Sequence, residues 1–440
     1  MSKELKYTWE KVQGVLATQW CDDVNPESPI PDYPRPQFKR ENWLNLNGLW
    51  DYCILSKASS KPENYEGKIL VPFAVESALS GVKRKLKPNQ IIWYRRIFDI
   101  PDAWKEQDII LHFGAVDWDT KIWVNGEYVG EHRGGYVPFS FEVSRYIKFR
   151  GENEIIVSVW DPTNKGRQER GKQRLNPKLI FYTAVSGIWD TVWLEPVPRS
   201  RIDRIFLVPD IDNSKLNIKP IFNNFKGTDK IIVNIKSKGK SVTKAIFKDE
   251  GPFVIDIPNQ RLWSPEDPFL YDLVLELKRK NETIDKVESY FGMRKISIMN
   301  DKDGFPRFAL NNTILFQYGV LDQGYWPDGL YTAPIDEALK YDIELALKFG
   351  FNMIRKHVKI EPSRWYYHCD KLGMLVWQDM PNGGSFWAGA IGFLLGKKLS
   401  SKYGRYKKSV RKQYYSELKE MIDYLHNHPS IVVWVTFNEA

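Results

Sequence analysis

From about residue 298 onward, apolar runs of strand length alternate with stretches of helical period, and this alternation limits the fold more than any other feature. ILFQYGVL reads as a strand. TAPIDEALKYDIELALKFG then places apolar residues at Ile335, Ala338, Leu339, Ile343, Ala346 and Leu347 on one helical face. Pro334, the acids Asp336 and Glu337, and Gly350 supply its start and stop. FNMIRKHV predicts a second strand, PSRWYYHCDKLG a second helix and MLVWQDM a third strand. After a long loop, Tyr414, Leu418, Met421, Ile422 and Leu425 mark a third helix, and IVVWVTFNE a fourth strand. The βαβαβαβ pattern requires parallel strands joined by right-handed crossovers. A doubly wound sheet and the first half of a (β/α)8 barrel both satisfy it. No G-x-G-x-x-G or Walker sequence follows a strand, so no nucleotide cofactor is implied.

Two other textures precede this one. Residues from about 40 to 197 are short alternating strands with almost no helical period. The Asn125-Gly126 pair between apolar runs predicts a hairpin there. This reads as a jelly roll or β-sandwich. Residues from about 200 to 297 hold six or seven smaller strands, fitting an immunoglobulin-like sandwich without its disulfide. The expected division is 1–198, 199–297 and 298–440.

Composition excludes several functions. The net charge is +9, yet the 64 basic residues are spread among 55 acids, so a solvated basic surface explains it better than nucleic-acid binding. The strongest basic cluster, Lys402 to Lys412, lies in one loop and helix start. Cys21, Cys53 and Cys369 are far apart, with no disulfide or metal-ligand spacing. No segment reaches membrane-spanning length. No signal-like apolar core opens the chain, so the expected location is the cytoplasm, or the periplasm or exterior if a leader was removed. Aromatic content is high, with 17 Trp, and such rings fill cores or form platforms for sugars.

In both parallel-sheet architectures function gathers at the carboxyl ends of the strands. The first strand leads to Asp322, Tyr325, Trp326 and Asp328; the second delivers Arg355 and His357; the third Trp377, Gln378 and Asp379; the fourth Asn438 and Glu439. A purely structural sheet would end in turn residues instead. Taken singly, Arg355 and His357 are also readable as an ion-pair network, Asp379 as a turn cap and Trp377 as core.

These stretches resemble glycoside hydrolase family 2, the family of β-galactosidases, β-glucuronidases and β-mannosidases, over nearly the whole chain from about residue 34. NLNGLWDY, WYRRIFDIP, LHFGAVDWDTKIWVNGEYVGEHRGGYVPF and SGIWDTVWLE resemble its sugar-binding jelly roll. LWSPEDPFLYDL and YFGMRKI resemble its immunoglobulin-like domain. NMIRKHV is similar to the family's Asn-x-x-Arg-x-x-His stretch, with His357 one residue early. In GMLVWQDMP many relatives carry Glu in place of Gln378 or Asp379. WVTFNEA is similar to the Trp-x-x-x-Asn-Glu acid/base motif.

The resemblance implies a TIM barrel of which this chain holds the first four strands, and a retaining exo-β-glycosidase using two carboxylates about 5 to 5.5 Å apart. It implies Glu439 as acid/base and Asn438 as partner of the sugar 2-hydroxyl. Arg355, His357, Asp379 and Trp377 would bind substrate, and the loop 382–407, with Phe386 and Trp387, would form a wall or lid. The nucleophile, a second Glu after strand seven, is expected beyond residue 440, in a chain truncated within the barrel and inactive alone. The substrate expected is a glycoside or oligosaccharide, a β-galactoside by family frequency, with no cofactor, no metal, no nucleic-acid or membrane partner, and a homo-oligomer left open. Rival readings are a non-catalytic carbohydrate-binding protein using Trp118, Trp123 and the HRGGYVPF turn, a fragment completing its barrel in trans, and a doubly wound enzyme.

Overall fold

The structure, a computed structural model, describes residues 9–383 and 408–438. A six-stranded antiparallel sheet (Gly67–Val71, Gly48–Ser56, Gln90–Phe98, Asn153–Trp160, Asp119–Val124, Glu127–Arg133) faces a four-stranded one built on Val192–Val197 and Asp108–Phe113. Strand alternation explains the packing. Ile155, Val157 and Val159 join Trp50, Tyr94 and Leu111 in the core between the sheets, while Ile156 turns outward onto Cys53 and Trp93. The predicted hairpin forms at Asn125 and Gly126, both at positive φ, as a two-residue turn between paired strands demands. This is the jelly roll.

The next sandwich sets Arg201–Asp210, Lys215–Asn223 and Phe253–Asp256 against Lys240–Phe247, Asp229–Ser237, Tyr271–Arg279 and Glu282–Phe291. Its core holds Ile218, Val233, Leu275 and Phe291. This is the immunoglobulin-like unit.

The final unit is β1 (Gly319–Asp322), α1 (Asp336–Lys348), β2 (Met353–Lys356), α2 (Ser363–Leu372), β3 (Leu375–Asp379), α3 (Lys408–Leu425) and β4 (Ile431–Val435). All pairings are parallel, and the spatial order follows chain order. A doubly wound sheet reverses direction at a switch point. Sequential order is that of a barrel wall, which resolves the two alternatives in favour of TIM-barrel strands. One face of the sheet carries Ile354, Val376 and Ile431 against Ala338, Ile343, Trp365 and Met421 of the helices. The other face carries Leu375 and Val432, covered at the amino ends by Leu310 and the fully buried Trp263 of the immunoglobulin-like unit.

The predicted strand ILFQYGVL divides in two. Ile314 pairs with Ala309 in a small antiparallel sheet, and the parallel strand starts only at Gly319. Asn352 separates them, accepting from the Tyr318 N–H at 2.8 Å and donating to the Phe316 carbonyl at 2.9 Å. The fourth strand also stops early. The Met380 N–H donates to the Val435 carbonyl at 2.9 Å, and then Thr436 leaves the ladder, its carbonyl taken by the Tyr414 hydroxyl.

Candidate active site

Residues of one strand that point the same way are two apart, so Met353 and Arg355, like Leu375, Trp377 and Asp379, share the face opposite the helices. Arg355 and Asp379 therefore meet across adjacent strands. Arg355 Nε donates to Asp379 Oδ1 and Nη2 to Oδ2, both at 2.9 Å, a bidentate pair. The carboxylate is fully buried and the guanidinium about a third exposed, so Arg355 reaches from a dry base toward solvent. Arg355 Nη2 also donates to Asn438 Oδ1 at 3.0 Å. Asn438 is buried, and its Nδ2 has no hydrogen-bond partner among the described residues. A buried amide donor unmatched among the described residues, with His357 beside it, is a donor available to a ligand.

His357 completes the group. Gln323 Nε2 lies 2.9 Å from His357 Nδ1. An amide N–H can only donate there, which leaves the imidazole proton on Nε2, 4.0 Å from Asp379 Oδ2. Burial pushes the His357 pKa below its ordinary value despite Asn438 and Asp379 beside it, so the ring is neutral at neutral pH. The rim thus offers an Arg–carboxylate pair, a neutral imidazole and an unmatched amide, a set that recognises hydroxyl groups.

The structure gathers Arg355, His357, Asp379 and Asn438 at one strand edge. Trp377 stands apart, deeper along β3: its indole N–H is donated to Gln317 and its ring packs edge-on to Phe308. Gln378 faces the helices, accepting from the Tyr366 hydroxyl at 2.5 Å and donating to the Lys359 carbonyl at 2.7 Å. Glu439, Phe386 and Trp387 lie outside the described residues, as does most of the loop 382–407 and of the basic cluster before α3.

Of the residues after β1, Asp328 is buried and accepts from the Thr18 N–H and hydroxyl at 2.8 and 2.6 Å. Trp326 is core, and Tyr325 stacks on Tyr182 of the jelly roll at 4.1 Å. Asp322 joins a buried charge network that the sequence reading missed. Lys356 Nζ donates to Asp322 at 2.5 Å and to Glu361 at 2.8 Å, and Lys359 Nζ donates to both Glu361 oxygens at 2.9 Å. Burial acts to raise the Asp322 pKa, but Lys356 and the Gly324 N–H hold it below the ordinary value. Two cations match two anions, so the network is a neutral girder under the rim. Gln323 was missed as well; only its position directly after an apolar strand could have flagged it.

The jelly roll also reaches this rim. The Tyr136 hydroxyl, from the HRGGYVPF turn, lies 3.1 Å from that of Tyr331. Gly134 to Val137 are buried, so this turn is an inter-domain contact and not an open sugar platform. Trp123 packs on Trp93 at 5.4 Å and Trp118 edge-on to Trp160 at 6.2 Å.

Three models of glycosyl hydrolases family 2 match the chain in order: the sugar binding domain at 71–198, the family's next domain at 200–294 and the TIM barrel domain at 333–440. A β-galactosidase of Thermoanaerobacter pseudethanolicus is 27% identical over 382 residues, 80% of this chain and 45% of the relative. A β-glucuronidase of Bacteroides fragilis is 26% identical over 372 residues, 79% of this chain and 49% of the relative. The chain therefore spans about half the length of these relatives. Among solved structures, β-D-glucuronidase of Dictyoglomus thermophilum superposes with a TM-score of 0.74 at 22% identity, over 92% of this chain and 68% of that one. The order of the three matched domains and the shared fold lead to one conclusion: the chain belongs to glycosyl hydrolase family 2.

Proposed function

We propose that this chain carries the sugar-binding half of a retaining exo-β-glycosidase site, with Glu439 as acid/base. The observation that carries the reading is the bonded set Arg355–Asp379–Asn438 beside neutral His357, directly before Glu439 in sequence. Asn438 Nδ2 would take the sugar 2-hydroxyl, a contact that strengthens in oxocarbenium-like transition states. Asp379 and the His357 Nε2–H would take neighbouring hydroxyls. Glu439 would protonate the leaving oxygen and then activate water. Asp379 has both oxygens bound by Arg355, which suits a hydroxyl acceptor and weakens a nucleophile. The second carboxylate is assigned to a strand end other than these four. Relatives named β-galactosidase and β-glucuronidase are similar to the same degree, so both sugars belong in the assay.

The test is hydrolysis of aryl β-galactosides, β-glucuronides and β-mannosides by the purified 440-residue chain, with Glu439→Gln beside it and with binding of the same sugars measured in parallel. Binding with no turnover above Glu439→Gln is expected. Glu439-dependent turnover would overturn the placement of the nucleophile and make Asp379 the first suspect. Turnover unaffected by Glu439→Gln would remove its acid/base role.

A further inference from the structure

Residues 167–174, Arg-Gln-Glu-Arg-Gly-Lys-Gln-Arg, hold four cations and one acid in the jelly-roll loop that follows Asn153–Trp160. This segment is pinned to the barrel rim from two sides. The Arg170 and Gly171 N–H groups both donate to the Asn382 carbonyl at 2.9 Å, just past Asp379, and Glu169 bridges to Gly383. On the other side, a Cβ added to Gly171 would sit 2.5 Å from the carbonyl of Val358, the residue after His357. The backbone leading into Lys172 is therefore fixed between the ends of β2 and β3.

Lys172 is only 7% exposed. Its ammonium stands 5.5 Å from the Phe181 ring centroid, and no carboxylate lies within ion-pair distance of it among the described residues. The neighbouring cations are matched: Arg355 by Asp379, Lys356 by Asp322 and Glu361, Lys359 by Glu361. Lys172 takes no part in these ion pairs. Burial and, more weakly, the Lys172 charge both push His357 toward its neutral form, which sets the two side chains in one electrostatic neighbourhood. A ligand anion reaching this ammonium would form a charge-assisted hydrogen bond that no carboxylate among the described residues supplies.

We propose that Lys172 is the specificity residue of the sugar site and pairs with a negative group on the bound ring, a carboxylate or a sulfate ester, so that acidic glycosides are preferred to neutral ones. This rests on the reading of the rim as a sugar site. The Lys172 ammonium lies over the Phe181 ring and its backbone is held by Tyr182, whose N–H donates to the Lys172 carbonyl at 3.0 Å, so the side chain is positioned for a charge-assisted bond.

The experiment is calorimetric binding of methyl β-glucuronide, methyl β-glucoside 6-sulfate and neutral methyl β-glucoside to the full chain, as wild type, Lys172→Met and Lys172→Arg. Methionine keeps an apolar stem for Phe181, and Lys172→Gln replaces it if the methionine variant misfolds. In the wild type and in Lys172→Arg, one or both anionic sugars are expected to bind at least about tenfold more tightly than the neutral one. In Lys172→Met the ratio should fall near one. The stronger of the two anionic ligands distinguishes a uronide from a sulfated sugar. Neutral binding with no anion preference in the wild type, or a preference that survives Lys172→Met, overturns the assignment of Lys172 alone. Failure of all three sugars to bind overturns the sugar-site reading and this proposal with it.

Discussion

At the scale of single residues, the site depends on which buried charges are matched. Asp379 is fully buried and Arg355 is its bidentate partner. Arg355→Ala strands that carboxylate and should cost about 3 kcal/mol, the low end for a buried pair because Arg355 is partly solvated. Urea unfolding measures this, and Asp379→Asn, which removes the charge itself, should cost less. Glu76 gives a pH dependence. It is buried in the jelly roll, accepts the Ser186 and Leu86 N–H groups, and burial lifts its pKa from 4.5 to about 7. Between those values the folded state binds a proton that the unfolded state has lost, so stability is full below pH 4.5 and falls as pH rises to 7. The loss is at most about 3 kcal/mol. The drop in thermal midpoint between pH 5 and pH 8 should shrink in Glu76→Gln; an unchanged drop would assign the dependence to other groups. Arg355, His357, Asp379 and Asn438 were legible in the sequence because strand ends can be counted from apolar runs. Gln323 and Lys172 were not, because their roles come from neighbours far along the chain.

At the scale of elements, helix stops were legible because they are local. α1 ends with the Phe351 N–H donating to the Ala346 carbonyl and the Gly350 N–H to that of Leu347, with Gly350 at positive φ. α2 ends at Gly373, φ 78°, where a Cβ would meet the Pro265 carbonyl at 2.6 Å. Gly373→Ala should therefore cost more than the roughly 1–2 kcal/mol of the left-handed backbone alone, because the immunoglobulin-like unit must also yield. Gly350→Ala, with open space around its Cβ, should cost only the backbone part; equal losses in chemical denaturation would refute the contact argument. The division of ILFQYGVL was not legible. Its apolar run suits one strand or two, and the Asn352 side chain that separates the halves arrives from beyond α1.

At the scale of the whole molecule, the units share cores. Trp263 is fully buried beneath Leu375 and Val432 and donates its indole N–H to the Asp370 carbonyl at 2.7 Å. Trp263→Ala should cost about 3–5 kcal/mol and split a single calorimetric transition into two, as the barrel strands lose their floor. One broad transition at a lowered midpoint would show that the units stay coupled through other contacts. The three-unit order was readable from changes of texture along the chain; the contacts between units were not, since Tyr136 to Tyr331 and Arg170 to Asn382 link residues that no local pattern relates.

The jelly-roll segment on the barrel rim also has an evolutionary meaning. Residues 168–173 belong to a loop whose ends are anchored in a different domain from Arg355, Asp379 and Asn438. An exchange at Lys172 itself, whose carbonyl accepts from Tyr182 of the same domain, touches no strand pairing of the barrel. Ligand preference can then drift by loop variation while the strand ends stay under separate constraint, and a loop transplanted between relatives should carry its preference with it.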